Sequence, residues 1–319
     1  MKNAEHNDRL RTNPDHRLHT PLAHTIASYV GKEENRITDI PGVSLHRRTS
    51  PTPPCQTTYQ PGIIVVAQGS KQVNLGSTRF IYDESHFLLT AVDLPIVSWV
   101  SKASEEFPCL VLSLKLDMSM VRELLSHGEI HVAEATSDSP AMSIGKTTPE
   151  FLNACCRLLD LLESPKDIPF LSGLIQREIV YRVLRGSVGA RLRAVATLGD
   201  QSHRTAKAVA WIVANYAKPL RVEELAQLAR MGVSTLHHHF RVLTSMSPLQ
   251  YQKQLRLQSA RNLMLNNGLD AASAAFEVGY ESATQFNREY SRFFGQPPMR
   301  DIRALLSTEA PELELVGNL

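Results

Sequence analysis

Six hydrogen-bonding side chains lie in two short segments of the chain, one of which follows the other by fifty residues. They are Ser234, His237, His238, Thr284, Gln285 and Arg288. An arginine can donate two parallel hydrogen bonds to the O6 and N7 atoms of guanine, and hydroxyl and amide groups pair with other base edges. The chemistry open to this set is therefore directional hydrogen bonding to a polar surface such as a base-pair edge, without any covalent step.

The elements that carry these side chains are predicted by two similar apolar patterns. In the second segment, alanines form a small-residue face, Gly279-Tyr280 makes a turn, and apolar residues then recur at i, i+4 and i+7. The residues of this pattern are Ala271, Ala274, Ala275, Phe286, Tyr290 and Phe293. The first segment repeats the pattern around a break at Met231-Gly232, with Leu225, Ala226, Ala229, Leu236, Phe240 and Leu243. The repetition predicts two helix-turn-helix units in tandem.

The segment between the two units predicts one long helix. Ser247-Pro248 is a helix start, and Asn266-Asn267-Gly268 is a helix end. Ser282 is a good N-cap for the second helix of the second unit. The competing interpretation is an ordinary helical bundle whose apolar stripes are only core. Two units in register, with a helix start between them, favour DNA binding over that bundle.

Charge is distributed unevenly along the chain. The net charge is only +2, but residues 203–303 contain thirteen Lys and Arg against seven Asp and Glu. A basic segment suits contact with DNA phosphates, although a solvated basic face would show the same excess. The predicted phosphate contacts are Arg241, Arg256, Arg261, Ser282 and Arg292. Arg288 is the strongest predicted base contact, and its alternatives are a phosphate contact or a salt bridge with Glu281 or Glu289.

Two stretches carry a family resemblance. SPLQYQKQLRLQSARNLML and the later VGYESATQFNREYSRFFGQPP resemble the AraC/XylS family of bacterial transcription regulators. Upstream, YQPGIIVVAQGSKQVNLG and FIYDESHFLLTAVDLPIVSWV are similar to the sensor domain of one subgroup of that family. The resemblance implies base contacts at Ser234, His238, Thr284 and Arg288. It also implies a regulator, expected to be an activator, that works with RNA polymerase as a homodimer.

The front half of the chain predicts a β domain followed by two helices. Short strands separated by turn signals between Val43 and Leu116 indicate a sandwich or barrel, and the resemblance narrows this to a cupin-like jelly roll. Residues 152–162 and 170–184 predict a helical pair, which could support a dimer contact. The expected fold class is α+β multidomain, with an N-terminal cupin-like barrel and a C-terminal all-α tandem helix-turn-helix domain. The predicted boundaries are a disordered tail 1–20, a sensor and dimerisation domain 21–188, a linker 189–205, a DNA-binding domain 206–304 and a tail 305–319.

Enzymatic and metal chemistry is not expected. His46 and His86 lie far apart and lack the His-x-His spacing of metal-dependent cupins, and the adjacent His237, His238 and His239 would point in different directions on a helix. No cofactor, metal site or catalytic group is predicted. Of the four cysteines, the adjacent Cys155 and Cys156 are expected to be packed as small apolar side chains, and a redox role for Cys55 or Cys109 is a minor alternative.

A predicted barrel in the same chain as a predicted DNA-binding domain favours a role for the barrel as a receptor for a small molecule. Its predicted pocket residues, each also explicable as plain core, are Val65, His86, Leu88, Trp99 and Cys109. The first twenty residues lack an apolar signal-peptide core and no run is long enough to cross a membrane, so a cytoplasmic protein is expected. Two alternatives remain: a ligand-independent dimeric regulator, and an enzyme that carries the DNA reader as an appendage.

Overall fold

The computed structural model describes residues 14–127 and 140–307. The strands of these residues are β1 (Asn35–Ile37), β2 (Val43–Arg48), β3 (Cys55–Tyr59), β4 (Gly62–Gln68), β5 (Ser70–Leu75), β6 (Thr78–Asp83), β7 (His86–Thr90), β8 (Leu94–Lys102), β9 (Cys109–Lys115) and β10 (Met142–Lys146). The helices are α1 (Pro14–Val30), α2 (Met118–Ser126), α3 (Pro149–Asp160), α4 (Ile168–Arg185), α5 (Gly189–Ala196), α6 (Gln201–Asn215), α7 (Val222–Ala229), α8 (Val233–Thr244), α9 (Pro248–Asn266), α10 (Ala271–Glu277), α11 (Ala283–Phe294) and α12 (Pro298–Ser307).

The strands form two antiparallel sheets. The larger sheet has the order β1-β2-β9-β4-β7-β10, and the smaller has the order β3-β8-β5-β6. Alternation along the strands places Lys71, Tyr82 and Tyr59 on one face of the smaller sheet, and all three side chains are fully buried. This architecture confirms the predicted N-terminal β domain and the all-α C-terminal domain.

Helices α1 and α3 pack against the face of the larger sheet that points away from the smaller sheet. Phe87 of β7 stacks on Phe151 of α3 with ring centroids 4.7 Å apart. The neighbouring strand leaves room for this ring only because position 145 is glycine, since a Cβ atom there would lie 2.3 Å from the Phe87 ring. The helices α3 and α4 confirm the predicted helical pair.

The structure differs from the predicted domain limits at four places. Residues 14–20, predicted within a disordered tail, belong to α1, and α5 occupies much of the predicted linker. The predicted start of the DNA-binding domain at residue 206 falls inside α6, and α12 continues to Ser307. Residues 1–13 and 308–319 lie outside the described part of the chain. Helix α6 packs against α7, α8 and α9 and is therefore a structural part of the DNA-binding domain.

The two domains contact each other through α9. The Gln258 side chain of α9 pairs with the Thr58 hydroxyl and donates to the Thr57 carbonyl at 3.1 Å. The Tyr251 hydroxyl, on the same helix, donates to the Asp93 carbonyl at 2.7 Å. These bonds hold the smaller sheet against the helix that links the two helix-turn-helix units.

One buried histidine lies inside the β domain. The Nδ1 atom of His46 lies 2.9 Å from Asn35 Oδ1, and its Nε2 atom lies 3.1 Å from Ser44 Oγ. Burial lowers the pKa of His46 well below the ordinary value of 6.5, and the positive charges of Lys71 and Arg48 act in the same direction. The folded protein therefore holds this imidazole neutral.

Acidification should destabilise the protein through His46. Below about pH 6.5 the unfolded chain binds a proton at this residue and the folded chain does not, so stability falls by up to about 1.4 kcal/mol per pH unit. Urea unfolding at pH 7.5, 6.5 and 5.5 should show a shallower decline for His46→Gln than for the parent protein. The exposed His237 is the matched control. An equal decline in His46→Gln and His237→Gln would contradict the assignment.

Candidate DNA-binding interface

The first helix-turn-helix unit consists of α7 and α8, and the second of α10 and α11. In each unit the apolar stripe of the second helix faces inward, with Leu236 and Phe240 in α8 and Phe286 and Tyr290 in α11 all fully buried. The helix α9 joins the units and starts with a reciprocal cap, in which Ser247 accepts from the Gln250 backbone and the Gln250 side chain accepts from the Ser247 backbone. The predicted tandem arrangement is present.

The turn of the second unit depends on Gly279. Its φ of +89° lies in the left-handed region, and a Cβ atom at this position would lie 1.9 Å from the Ala217 carbonyl oxygen. Glycine meets both demands because it has no Cβ. The predicted N-cap is also present, since Ser282 Oγ accepts from the Gln285 backbone N–H at 3.3 Å.

All six predicted base contacts are exposed on the second helix of each unit, α8 or α11, and these two helices are called the reading helices below. The three in α8 are Ser234, His237 and His238, and the three in α11 are Thr284, Gln285 and Arg288. Their exposure opposite the buried stripes is compatible with contact to a groove of DNA. Contact with bases remains a prediction for each of them.

The proposed salt bridge of Arg288 with Glu289 or Glu281 is not formed among the described residues. The Glu289 carboxylate instead accepts from the Tyr280 hydroxyl at 3.0 Å and from the Gln285 side-chain amide at 3.2 Å. The Arg288 guanidinium is thus available, while part of the Gln285 amide is engaged within the protein.

The predicted phosphate contacts divide into two groups. Arg241, Ser282 and Arg292 are exposed, which is compatible with contact to a DNA backbone. Arg256 instead donates to four backbone carbonyls, which are those of Tyr216, Ala217, Lys218 and Gly279, at 2.7–3.1 Å. The guanidinium of Arg256 therefore joins the turn after α6 to the turn between α10 and α11. It is engaged within the protein and is not placed to contact a DNA phosphate, in contrast to the prediction.

Arg261 also has a structural position. Its Nε and Nη2 atoms donate to the two carboxylate oxygens of Asp301 at 2.8 and 2.9 Å, and the guanidinium lies 4.3 Å from the Phe294 ring centroid. Tyr290 donates its hydroxyl to Asp301 at 2.7 Å. Only 8% of Arg261 is exposed, so this side chain is not placed to contact a DNA phosphate either, in contrast to the prediction.

The five predicted effector-pocket residues do not converge on one cavity. The strand registers place Leu88 and Cys109 on the inner side of the larger sheet, while Val65 alternates to the helix-covered side. Trp99 lies on the opposite face of the smaller sheet from the buried Ser98, and the Arg79 guanidinium lies over its ring, 5.4 Å from the ring centroid. His86 begins β7 on the same face as Leu88, but its side chain is half-exposed beside Asp83. The predicted pocket is thus split between three surfaces by the alternation of strand side chains.

Residues 14–127 and 140–307 contain no group of three or more His, Cys, Asp or Glu side chains that could hold a metal ion. Burial raises the pKa of the Cys109 and Cys156 thiols to about 11, which disfavours the reactive thiolate form. No helix in these ranges is long and apolar enough to cross a membrane.

A cavity of about 730 Å³ between the domains was not predicted. It is lined by strands of the smaller sheet and by the helices α9 and α11, and Lys253, Arg288 and Arg292 are among its walls. Local patterns assign these residues to solvent-facing helix surfaces. Only the packing of the two domains reveals that they also face a strand surface.

Comparison with known proteins links both domains to one family. A model described as the N-terminus of AraC-type transcriptional regulators matches residues 39–191, and a helix-turn-helix domain model matches residues 225–304. The transcriptional regulator ArgR of Pseudomonas aeruginosa is 28% identical over 132 residues, which are 41% of this chain and 40% of ArgR. The virulence regulon transcriptional activator VirF of Yersinia enterocolitica is 23% identical over 246 residues, which are 75% of this chain and 88% of VirF.

A solved structure shares the fold of both domains. ToxT from Vibrio cholerae has a TM-score of 0.54 at 10% identity, with coverage of 86% of this chain and 99% of ToxT. The two family models together match the β domain and both helix-turn-helix units described above. The chain therefore belongs to the AraC/XylS family of DNA-binding transcription regulators, which are not enzymes.

Proposed function

We propose that this regulator reads a specific DNA sequence with both helix-turn-helix units of one chain. The observation that carries the proposal is the pair of reading helices, α8 and α11, which present exposed polar side chains opposite fully buried stripes. Reading helices on one rigid scaffold enter successive major grooves about 34 Å apart on one side of DNA. One chain would then cover an asymmetric site of about two helical turns.

We further propose that a small molecule modulates this DNA binding through the N-terminal domain. ToxT, which shares the fold, has been solved with an unsaturated fatty acid and with (E)-4-(8-methylnaphthalen-1-yl)but-3-enoic acid. A ligand that prefers one arrangement of the domains shifts the protein toward that arrangement. The alternative is a regulator whose N-terminal domain only mediates contact with a second copy or a partner. A rise in melting temperature on addition of a ligand would favour modulation by a small molecule, because a ligand that binds the folded state stabilises it.

A homodimer is proposed through α4. The first half of this helix exposes large apolar side chains, with Phe170 77% and Leu174 64% exposed and Leu171 beside them. A second copy of the same chain would bury this face against itself across a two-fold axis, as most soluble homodimers do. The proposal gives the helical pair the dimerisation role that the family resemblance implies.

Breaking that face should separate the dimer. We expect Phe170→Glu with Leu174→Glu to raise the dimer dissociation constant at least 100-fold, because two carboxylates would have to be desolvated in each half of the interface. Sedimentation equilibrium of the full chain measures the change. Leu249→Glu, at an exposed leucine of α9, is the matched control and should leave the dimer intact. Unchanged association in the α4 variant would refute the proposed interface.

Contact with RNA polymerase and activation of transcription are proposed as consequences of DNA binding. VirF, which this chain resembles over most of its length, is described as a transcriptional activator. Transcription in vitro from a promoter with the bound site should rise when the protein is added to polymerase. A fall in transcript would identify a repressor instead.

The central experiment is footprinting of fragmented genomic DNA by the purified full chain. We expect protection of discrete sites of about two helical turns at moderate salt. The absence of any protected site would remove the basis of the proposed function. The genes beside the protected sites would also indicate the chemical class of the effector.

A further inference from the structure

The cavity between the domains has one wall from each of them. The smaller sheet supplies Asn74 and Val97, and the facing helices supply Lys253 from α9 and Arg288 and Arg292 from α11. Its volume of about 730 Å³ lies in the range typical of sites for small organic ligands, about 300–1,000 Å³. The space is therefore large enough for a molecule of drug size.

The helical wall of this cavity is positively charged. Among the described residues, Lys253, Arg288 and Arg292 have no carboxylate within salt-bridge distance. The one acidic residue of the lining, Glu289, has its two carboxylate oxygens engaged by Tyr280 and Gln285. Three cations that converge on one space favour an anionic occupant.

The rest of the lining suits an apolar body with a polar substituent. Val97, Leu257 and Phe293 contribute apolar surface. The Oδ1 atom of Asn74 is buried, and no hydrogen-bond partner for it is found among the described residues. A buried acceptor without a partner is costly, so a ligand N–H or O–H group that reaches Asn74 would gain a hydrogen bond.

We infer that this interdomain cavity binds an organic anion with an apolar body, and that this ligand competes with DNA for Arg288 and Arg292. The inference rests on the proposed function, because it assumes that these two arginines contact DNA. A guanidinium that grips the anion cannot at the same time pair with guanine or phosphate. By linkage, the ligand must weaken DNA binding by the same factor by which DNA weakens ligand binding.

The test uses a matched pair of fluorescent probes and the full chain. 8-Anilinonaphthalene-1-sulfonate is an anion with an apolar body and an N–H group, and N-phenyl-1-naphthylamine is the same molecule without the sulfonate. We expect the parent protein to bind the sulfonate at least tenfold more tightly than the neutral probe. The double variant Arg288→Gln/Arg292→Gln should lose about tenfold in sulfonate affinity and stay within twofold for the neutral probe.

The matched control removes the same charge from surfaces outside the cavity. Arg241 and Arg300 are exposed and do not line it, so Arg241→Gln/Arg300→Gln should bind the sulfonate as the parent does. Equal losses in the two double variants, equal affinity of the parent for the two probes, or no sulfonate binding at all would each overturn the inference. A competition arm needs no variant: a duplex protected in the footprint should displace the sulfonate from the parent protein.

The competition arm also separates the two hypotheses. If the duplex binds while the sulfonate stays bound, the competition is wrong and the proposed function stands. If no duplex binds even without the probe, the proposed function fails, and a difference between the two double variants would still demonstrate the anion site.

Discussion

Replacement of Asp301 by alanine should lower the free energy of unfolding by about 3–5 kcal/mol, the cost of leaving one partner of a buried ion pair without its counter-charge. The Asp301 carboxylate accepts two hydrogen bonds from Arg261 and one from Tyr290, at 2.7–2.9 Å. Both charged side chains are only 10% exposed, so water cannot replace the lost carboxylate. The bonds join α9, α11 and α12, and their loss should loosen the second reading helix.

Urea unfolding of the full chain measures this loss, and two controls define its origin. Arg221 and Glu224 form an ion pair at 3.5 Å in which both side chains are well exposed, so Glu224→Ala should change stability by less than about 0.5 kcal/mol. The double variant Arg261→Met/Asp301→Leu removes both charges and should recover much of the stability lost in Asp301→Ala. A loss below about 1 kcal/mol in Asp301→Ala would show that the pair does not hold the domain together.

Replacement of Arg288 by alanine should remove sequence discrimination at one position of the DNA site. A bidentate contact between arginine and guanine contributes about 1–3 kcal/mol of discrimination, so preference for the correct base should fall about 5- to 150-fold. His238 occupies the matching position of the first unit, and its imidazole ring cannot donate two parallel hydrogen bonds to guanine as a guanidinium does. We therefore expect a smaller loss in His238→Ala than in Arg288→Ala.

Selection of binding sites from a random pool, followed by comparison of the resulting base preferences, measures both losses. Arg241→Gln is the control for a phosphate contact: it should weaken all sites alike and reduce the slope of log affinity against log salt by about 0.9. Equal losses of preference in the two alanine variants, or a larger loss in His238→Ala, would contradict the predicted dominance of the second unit.

Several features of this protein were predictable because they depend on local periodicity. The stripes of α8 and α11 follow from apolar residues at i, i+4 and i+7, and a helix must bury such a face. The start of α9 at Pro248 follows from a serine cap and a proline in the first turn. Family membership follows from these units in their order along the chain.

The roles of individual arginines were not predictable in the same way. Arg241 and Arg261 both lie on helices of the basic segment, and nothing beside them in the sequence distinguishes them. Their environments differ because Asp301, forty residues farther along the chain, reaches Arg261 and not Arg241.

The amino-acid sequence by itself determined the β domain, the helical pair α3 and α4, the two reading helices and the exposed side chains that could meet DNA, because each is set by side chains a few positions apart. Tertiary structure alone decided that Arg256 and Arg261 are internal clamps, that the expected pocket residues point to separate surfaces, and that a charged cavity lies between the domains. The physical reason is that burial and charge pairing depend on contacts between residues distant in sequence, which folding brings together and periodicity does not encode.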